Sequence, residues 1–270
     1  MKNKIYFFLI FIIFSTKGIL AGDNIYRSVQ PESSSKQNYL NNLRFGEFQN
    51  YAVVTANDYA TKIGLKIIEE GGTVADATVG IQLTLGLVEP QSSGLGGGLF
   101  ITYFDYKSNR TFSFLGRETA PKNMNQEVFL DSNKKPKKFF DAAIGGASVG
   151  VPGTLHALYK FHKEHGKLEW EKIVHLVLKL SKKGFIPPNR LVNALKKEKY
   201  LFEIYPQSIY RNVLKNKNKL FFNHEYSQTL KKISHGILEF YDGKISESIA
   251  REVRNSNNPG ELSLEDIKNF

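Results

Sequence analysis

Between Tyr51 and Leu115 the hydrophobic positions change period several times, and each change marks an element. Tyr51 to Ala56 (YAVVTA) is a short, nearly continuous apolar run, the pattern of a buried strand. It meets Asn57 and Asp58, either of which can cap a helix running to about Glu70, in which Ile63, Ile67 and Ile68 share a face. Gly71 and Gly72 stop that helix, one of them predicted in the left-handed conformation. Thr73 and Asp76 form a T-x-x-D capping pattern for a second helix reaching about Leu87. This second helix is apolar or small on nearly every side. Gly80 and Gly86 within it would each cost about 1 kcal/mol relative to alanine in an exposed helix, so they predict close packing and a central, buried position. The cluster GLGGG (residues 94–98) leads into a strand from Leu99 to Phe104, a turn at 106–109, and a return strand from Arg110 to Leu115. Such a hairpin, fed by a buried helix, predicts an α+β arrangement with an antiparallel sheet covered by helices.

From Thr154 onward the period is helical, with predicted helices at 154–165, 169–183, 189–204, 226–235 and 245–254. The connection 121–150 is long and irregular. Ser263 and Asp266 make another capping box, S-x-x-D, which starts a helix at Leu264. Helices below about 12 residues are rarely stable without support, so the stop at Phe270 reads as an interruption.

Composition refines the class. The 270 residues are 41% hydrophobic and 23% charged, as in a folded protein. No cysteine is present, which excludes disulfides and thiolate metal sites. Residues 1–14, MKNKIYFFLIFIIF, place two lysines before an apolar run and then STKGILAG, so residues 1–22 read as a secretory signal cleaved near Ala21 or Gly22. The run falls short of the roughly 20 apolar residues that a membrane span needs. Residues 23–46 are polar and read as an extended lead. Lys2, Lys4 and Lys17 leave with the signal, lowering the formal charge from +11 to +8. The remaining lysines look scattered and often accompany asparagine, as in VLKNKNKLFFN, without a base-reading motif; a solvated lysine-rich face is expected and nucleic acid is not.

Candidate chemistry is sparse. The glycine cluster could form a nest of backbone donors, but no Gly-Lys-Ser/Thr follows it and it opens a strand, so a tight crossing or a wall beside a substrate fits better. Ser92 and Ser93 lack the G-x-S-x-G setting of a nucleophile. His156, His162 and His165 have no metal-ligand spacing, and neither metal nor cofactor is expected. Arg117, in LGRETAP, is a planar fork presented at a strand end. It can grip a substrate carboxylate in two-point contact, or pair internally with Glu118 or Glu89; the residues alone leave both open.

The ordered pieces EEGGTVADATVGIQLTLGLVEPQSSGLGGGLF, FLGRETAP, SVGVPGT, HGKLEWEKIVHLVLKLSKKGF, and FYDGKISESIA followed by LSLEDIKNF resemble the gamma-glutamyltranspeptidase family over about residues 47–270. The resemblance implies an N-terminal-nucleophile hydrolase fold, an αββα sandwich that is incomplete here, with a largely helical C-terminal half. It implies a periplasmic or secreted precursor that cuts itself into two subunits, residues 47–270 being part of the large one. The nucleophile would be the N-terminal threonine of the small subunit, the missing partner, so no catalytic residue is assigned in this chain. The implied activity is transfer of a gamma-glutamyl group from glutathione or its conjugates to water, an amino acid or a peptide, with the 270-residue chain inactive alone. Arg117 matches the arginine that binds the substrate alpha-carboxylate in the R-E-x-A-P motif, which favours substrate binding over an internal ion pair. Where members commonly read GGNAVDA this chain has GGTVADA, and Leu99 replaces a fourth consecutive glycine. A cephalosporin-acylase-like amidase and a non-catalytic exported fragment are the alternatives.

Overall fold

The computed structural model describes residues 48–216 and 218–270. The expected signal (1–22) and lead (23–46) lie outside the described residues.

Helix α1 (Asp58–Glu69) starts at Asn57, whose side-chain oxygen accepts from the Tyr59 N–H at 3.0 Å, and ends at Gly71, the left-handed residue with φ of 86°. Helix α2 (Val74–Val88) carries the expected capping box and more besides. The Asp76 carboxylate accepts from the N–H of Thr73 at 2.7 Å, of Lys167 at 3.0 Å and of Leu168 at 3.2 Å, and His162 Nε2 lies 3.4 Å away. One fully buried carboxylate therefore ties the start of α2 to a turn some ninety residues later. His162 Nε2 donates its proton to the Leu168 carbonyl at 2.8 Å. The two glycines of α2 have the role their position predicts. A Cβ at Gly80 would lie 2.2 Å from Ile67 Cδ1, and one at Gly86 would lie 2.6 Å from the Tyr226 hydroxyl.

Around α2 pack α1, α4 (Thr154–His165) and α5 (Trp170–Lys183). Val79, Leu83, Leu155, Leu158, Ile173 and Val177 are completely buried in the resulting core. Each such aliphatic side chain contributes about 1.5–3 kcal/mol on leaving water. Strands β1 (Leu99–Asp105) and β2 (Arg110–Gly116) form an antiparallel hairpin in the register Leu99↔Gly116 to Asp105↔Arg110. The inner face of the hairpin sets Tyr103, Phe112 and Phe114 against Phe161 and His165 of α4. Leu99 packs against the main core, so the residue in the fourth glycine's place serves packing.

The remaining elements are helical: α3 (Phe139–Ala143), α6 (Asn189–Lys197), α7 (Leu201–Ile204), α8 (Arg211–Lys215), α9 (His224–Ile233), α10 (Leu238–Tyr241), α11 (Lys244–Asn255) and α12 (Leu264–Lys268). Two 3₁₀ turns, Gln126–Phe129 and Gly146–Ser148, punctuate the connection that looked irregular. The α12 capping box forms as expected, with Ser263 N–H and hydroxyl both donating to Asp266 Oδ2.

Two expectations are corrected. Tyr51 to Ala56 is not a buried strand: it has no ladder partner among the described residues, and Val54 is 90% exposed. The segment 189–204 is two helices, because the α6 ladder closes at Glu198 and Phe202 and Glu203 begin new short-range bonds to Lys199 and Tyr200. Among the described residues no helix is long and apolar enough to cross a membrane.

Candidate functional site

Three glycine-bearing segments meet at the end of β2. The strand finishes at Gly116, where a Cβ would lie 2.6 Å from Ala157 Cβ and 2.8 Å from the Gly153 carbonyl oxygen, so the backbone rides directly on the start of α4. Gly98 faces the other side. A Cβ there would lie 2.4 Å from Glu118 Oε2, 2.6 Å from the Gly116 carbonyl oxygen and 2.9 Å from Arg117 Cα. The Gly97 carbonyl then accepts from the N–H groups of Gly153 at 3.0 Å and Thr154 at 3.1 Å, satisfying free donors at the α4 N-terminus. Val151 N–H donates to the Thr119 carbonyl at 2.9 Å and fixes the outgoing chain. The close crossing expected of the glycine cluster is thus made at Gly98, against the Arg117–Glu118 segment, whereas Gly94 and Gly96 have open space around them.

Arg117 stands on the outer face of the hairpin, two residues beyond Leu115, which pairs with Phe100. Phe100 and Leu115 are each 70% exposed. The guanidinium carbon sits 5.9 Å from the Phe100 ring centroid, and Nη1 lies 3.3 Å from Glu118 Oε2. The Glu118 carboxylate is held back in the glycine crossing, while the Arg117 side chain is 56% exposed. Guanidinium carries five donors in a fixed fork. Among the described residues Glu118 is the one ion-pair partner of Arg117, so the fork retains donors directed to solvent. The internal alternative is therefore half right: Glu118 pairs with Arg117, whereas buried Glu89 is taken by Asn57 Nδ2 at 2.8 Å and Arg190 at 3.6 Å.

A cleft of about 480 Å³ opens beside this point, lined by Leu115, Thr119, Lys122, His156, Asp266 and Phe270 among others. Arg117 is not on its wall, although Leu115 and Thr119 on either side of it are. Burial pushes the His156 imidazole below its ordinary pKa, and nearby Lys160 pushes the same way. The Asp266 carboxyl is held below the usual aspartate value: burial opposes this, but donation from Ser263 and from the Lys122 N–H at 2.9 Å prevails. Tyr241 braces the floor, its hydroxyl donating to the Pro152 carbonyl at 2.9 Å and accepting from His156 N–H at 3.0 Å.

The other sequence candidates lie apart from this site. Ser93 Oγ accepts from Gln82 at 2.8 Å, and Ser92 Oγ from Arg190 at 3.4 Å; neither is hydrogen-bonded to a histidine. Buried His162 meets Trp170 edge-on, and partly buried His165 packs at a tilt against the hairpin aromatics. Among the described residues no group of three His, Asp or Glu is arranged to hold a metal ion. Sequence reasoning missed Phe100 beneath Arg117, and the lining roles of Lys122 and His156. The first was readable, since period-2 alternation and the hairpin register place Phe100, Leu115 and Arg117 on one face. The cleft residues come from three segments that only the fold brings together.

A family model described as gamma-glutamyltranspeptidase matches residues 60–270. Glutathione hydrolase 3 of Arabidopsis thaliana is 30% identical over 282 residues, an alignment covering all of this chain and 43% of that protein. The chain spans about two fifths of the length of the curated relatives it matches. The gamma-glutamyltranspeptidase of Helicobacter pylori superposes with a TM-score of 0.75 at 24% identity over 83% of this chain and 65% of that one. The cephalosporin acylase of Bacillus halodurans gives 0.65 at 17% identity over 84% of this chain and 46% of that one.

Proposed function

The chain belongs to the gamma-glutamyltranspeptidase family, and from that premise we propose that Arg117 holds the alpha-carboxylate of a gamma-glutamyl donor. The N-terminal-nucleophile hydrolase-like fold, partly helical and partly sheet, fits this family. In this reading residues 47–270 are part of the large subunit of a self-processed enzyme, exported behind a signal at residues 1–22. A threonine of the small subunit attacks the gamma-amide carbon, the amine leaves with a proton, and water or an amino acid then takes the acyl group from the threonine oxygen. The 270-residue chain alone is expected to be inactive, because the nucleophile belongs to that other segment.

One observation carries the reading. Glu118 Oε2 fills the space left by the missing side chain of Gly98 and lies 3.3 Å from Arg117 Nη1, so one edge of the fork is paired while the rest is open to an incoming carboxylate. Its contribution is positioning, since the cleaved amide lies several bonds away from the carboxylate it grips. A cephalosporin-acylase-like amidase shares the fold; the family match and the open arginine favour gamma-glutamyl chemistry.

The test is Arg117→Ala and Arg117→Lys in the full-length, processed enzyme with a gamma-glutamyl anilide. A hydrogen bond to a charged group contributes about 1.5–3 kcal/mol, so each bond lost lowers kcat/KM by roughly 10- to 150-fold, mostly through KM. Lysine, without the planar fork, recovers only part. Unchanged KM and kcat/KM in the alanine enzyme would end the proposal.

A further inference from the structure

Charge is segregated along this chain. Seventeen of the 37 lysines and arginines lie between Thr154 and His235, but only six of the 26 aspartates and glutamates do. That segment carries the whole formal excess of +11, and the rest of the chain is balanced. The lysines are therefore less scattered than a linear reading suggests.

Part of this charge flanks exposed apolar side chains along the chain. After α5 the backbone forms an isolated antiparallel bridge, in which Phe185 N–H donates to the Phe221 carbonyl at 3.1 Å and Phe221 N–H returns a bond at 2.8 Å. Phe185 and Phe221 are buried, and their ring centroids are 5.7 Å apart. Their neighbours are turned outward by the pleat: Ile186, Leu220 and Phe222 are all exposed. Phe222 lies across Gly184, whose φ of 76° and missing side chain leave room for the ring; a Cβ there would lie 2.7 Å from it. Lys182 and Lys183 precede the bridge on the last turn of α5, and Lys219 precedes Leu220. All three lysines are exposed, and among the described residues none is in an ion pair. Glu225, three residues after Phe222, is the nearest carboxylate along the chain.

We propose that this face docks on an anionic phospholipid bilayer. Lys182, Lys183 and Lys219 lie over the phosphates, and Ile186, Leu220 and Phe222 enter the boundary with the acyl chains. The combination identifies the partner. Lysines alone would suit any polyanion, but exposed aliphatic and aromatic side chains flanked along the chain by exposed lysines fit a surface that is both negatively charged and apolar just beneath. Duplex nucleic acid offers charge without that apolar layer.

The test measures partition of the full chain into vesicles of phosphatidylcholine alone and with 30% phosphatidylglycerol. The uncharged apolar run at residues 5–14 is the same in every variant, so the readout is the ratio of the two partition coefficients compared between variants. Each surface lysine contributes roughly fivefold, so Lys182→Gln with Lys183→Gln lowers the ratio about 25-fold. The arginine pair at the same positions preserves it. Lys231→Gln with Lys232→Gln removes equal charge at the opposite end of α5, where Trp170 meets Ile233, and leaves the ratio within about threefold. Leu220→Ser with Phe222→Ser lowers the partition that survives high salt, relative to the parent chain carrying the same N-terminal run. Melting curves verify that each variant is folded. Equal losses at both lysine pairs, or duplex DNA displacing the vesicles with no effect of the serine pair, would overturn the assignment.

Discussion

Replacing Gly98 by alanine is the sharpest probe of the crossing that holds Arg117. The added methyl would arrive 2.4 Å from Glu118 Oε2, 2.6 Å from the Gly116 carbonyl oxygen and 2.9 Å from Arg117 Cα. A carboxylate can swing aside, but the other two atoms are backbone. Gly116 cannot retreat, since it already lies against Gly153 and Ala157. Overpacking of this kind costs about 1–3 kcal/mol. For a domain of this size each kcal/mol lowers the melting temperature by about 2–4 °C, so a fall of roughly 2–12 °C is expected by circular dichroism. Gly96→Ala is the matched control: it has open space within 4 Å and a backbone outside the left-handed region, so it is neutral or stabilising by about 0.4–1 kcal/mol. If Gly98→Ala melts like the parent chain, or Gly96→Ala falls as far, close approach is not why these glycines are here.

Two further substitutions or conditions test the frame around the site. Asp76→Ala removes a fully buried carboxylate and strips the acceptor from three part-buried backbone donors, each bond contributing about 1–3 kcal/mol at most, so the chain should lose at least about 1–3 kcal/mol in urea denaturation, and a loss below 1 kcal/mol would contradict the role given to that carboxylate. The Asp266 carboxyl has a folded pKa below its ordinary value of 3.8, so its contribution to stability is present above that value and is lost as pH falls through the lower folded one. Acid titration followed by the Ser263 and Lys122 amide resonances should therefore report release of the α12 cap only below pH 3.8; release at neutral pH would refute the assignment.

What the sequence made legible was local. The capping boxes at Thr73 and Ser263, the buried glycines of α2 and the hairpin after GLGGG each depend on residues within a few positions of one another, and each formed as read. The YAVVTA strand failed because a strand is defined by a neighbour, and a run of apolar residues carries no information about whether one exists. The break after Lys197 was hidden because Glu198, Lys199 and Tyr200 are all acceptable in a helix, so propensity gave no stop signal. The Arg117–Glu118 pair was visible as a possibility, but what decides its meaning is Gly98, nineteen residues earlier, whose missing side chain makes room for the carboxylate.

The geometry also explains why glycine and arginine are coupled in this chain. An exposed arginine is ordinarily a mobile point of charge, and fixing a long side chain for recognition has an entropic cost of up to about 2 kcal/mol. Here two contacts are in place before any ligand. Gly98 admits Glu118 behind the strand, Glu118 takes one edge of the guanidinium, and the exposed Phe100 ring supports its face. Any side chain at Gly98 would displace the carboxylate, and the fork would then have to be ordered by its ligand alone. In the role proposed for Arg117, Gly98 would act on recognition from a distance, without touching the carboxylate.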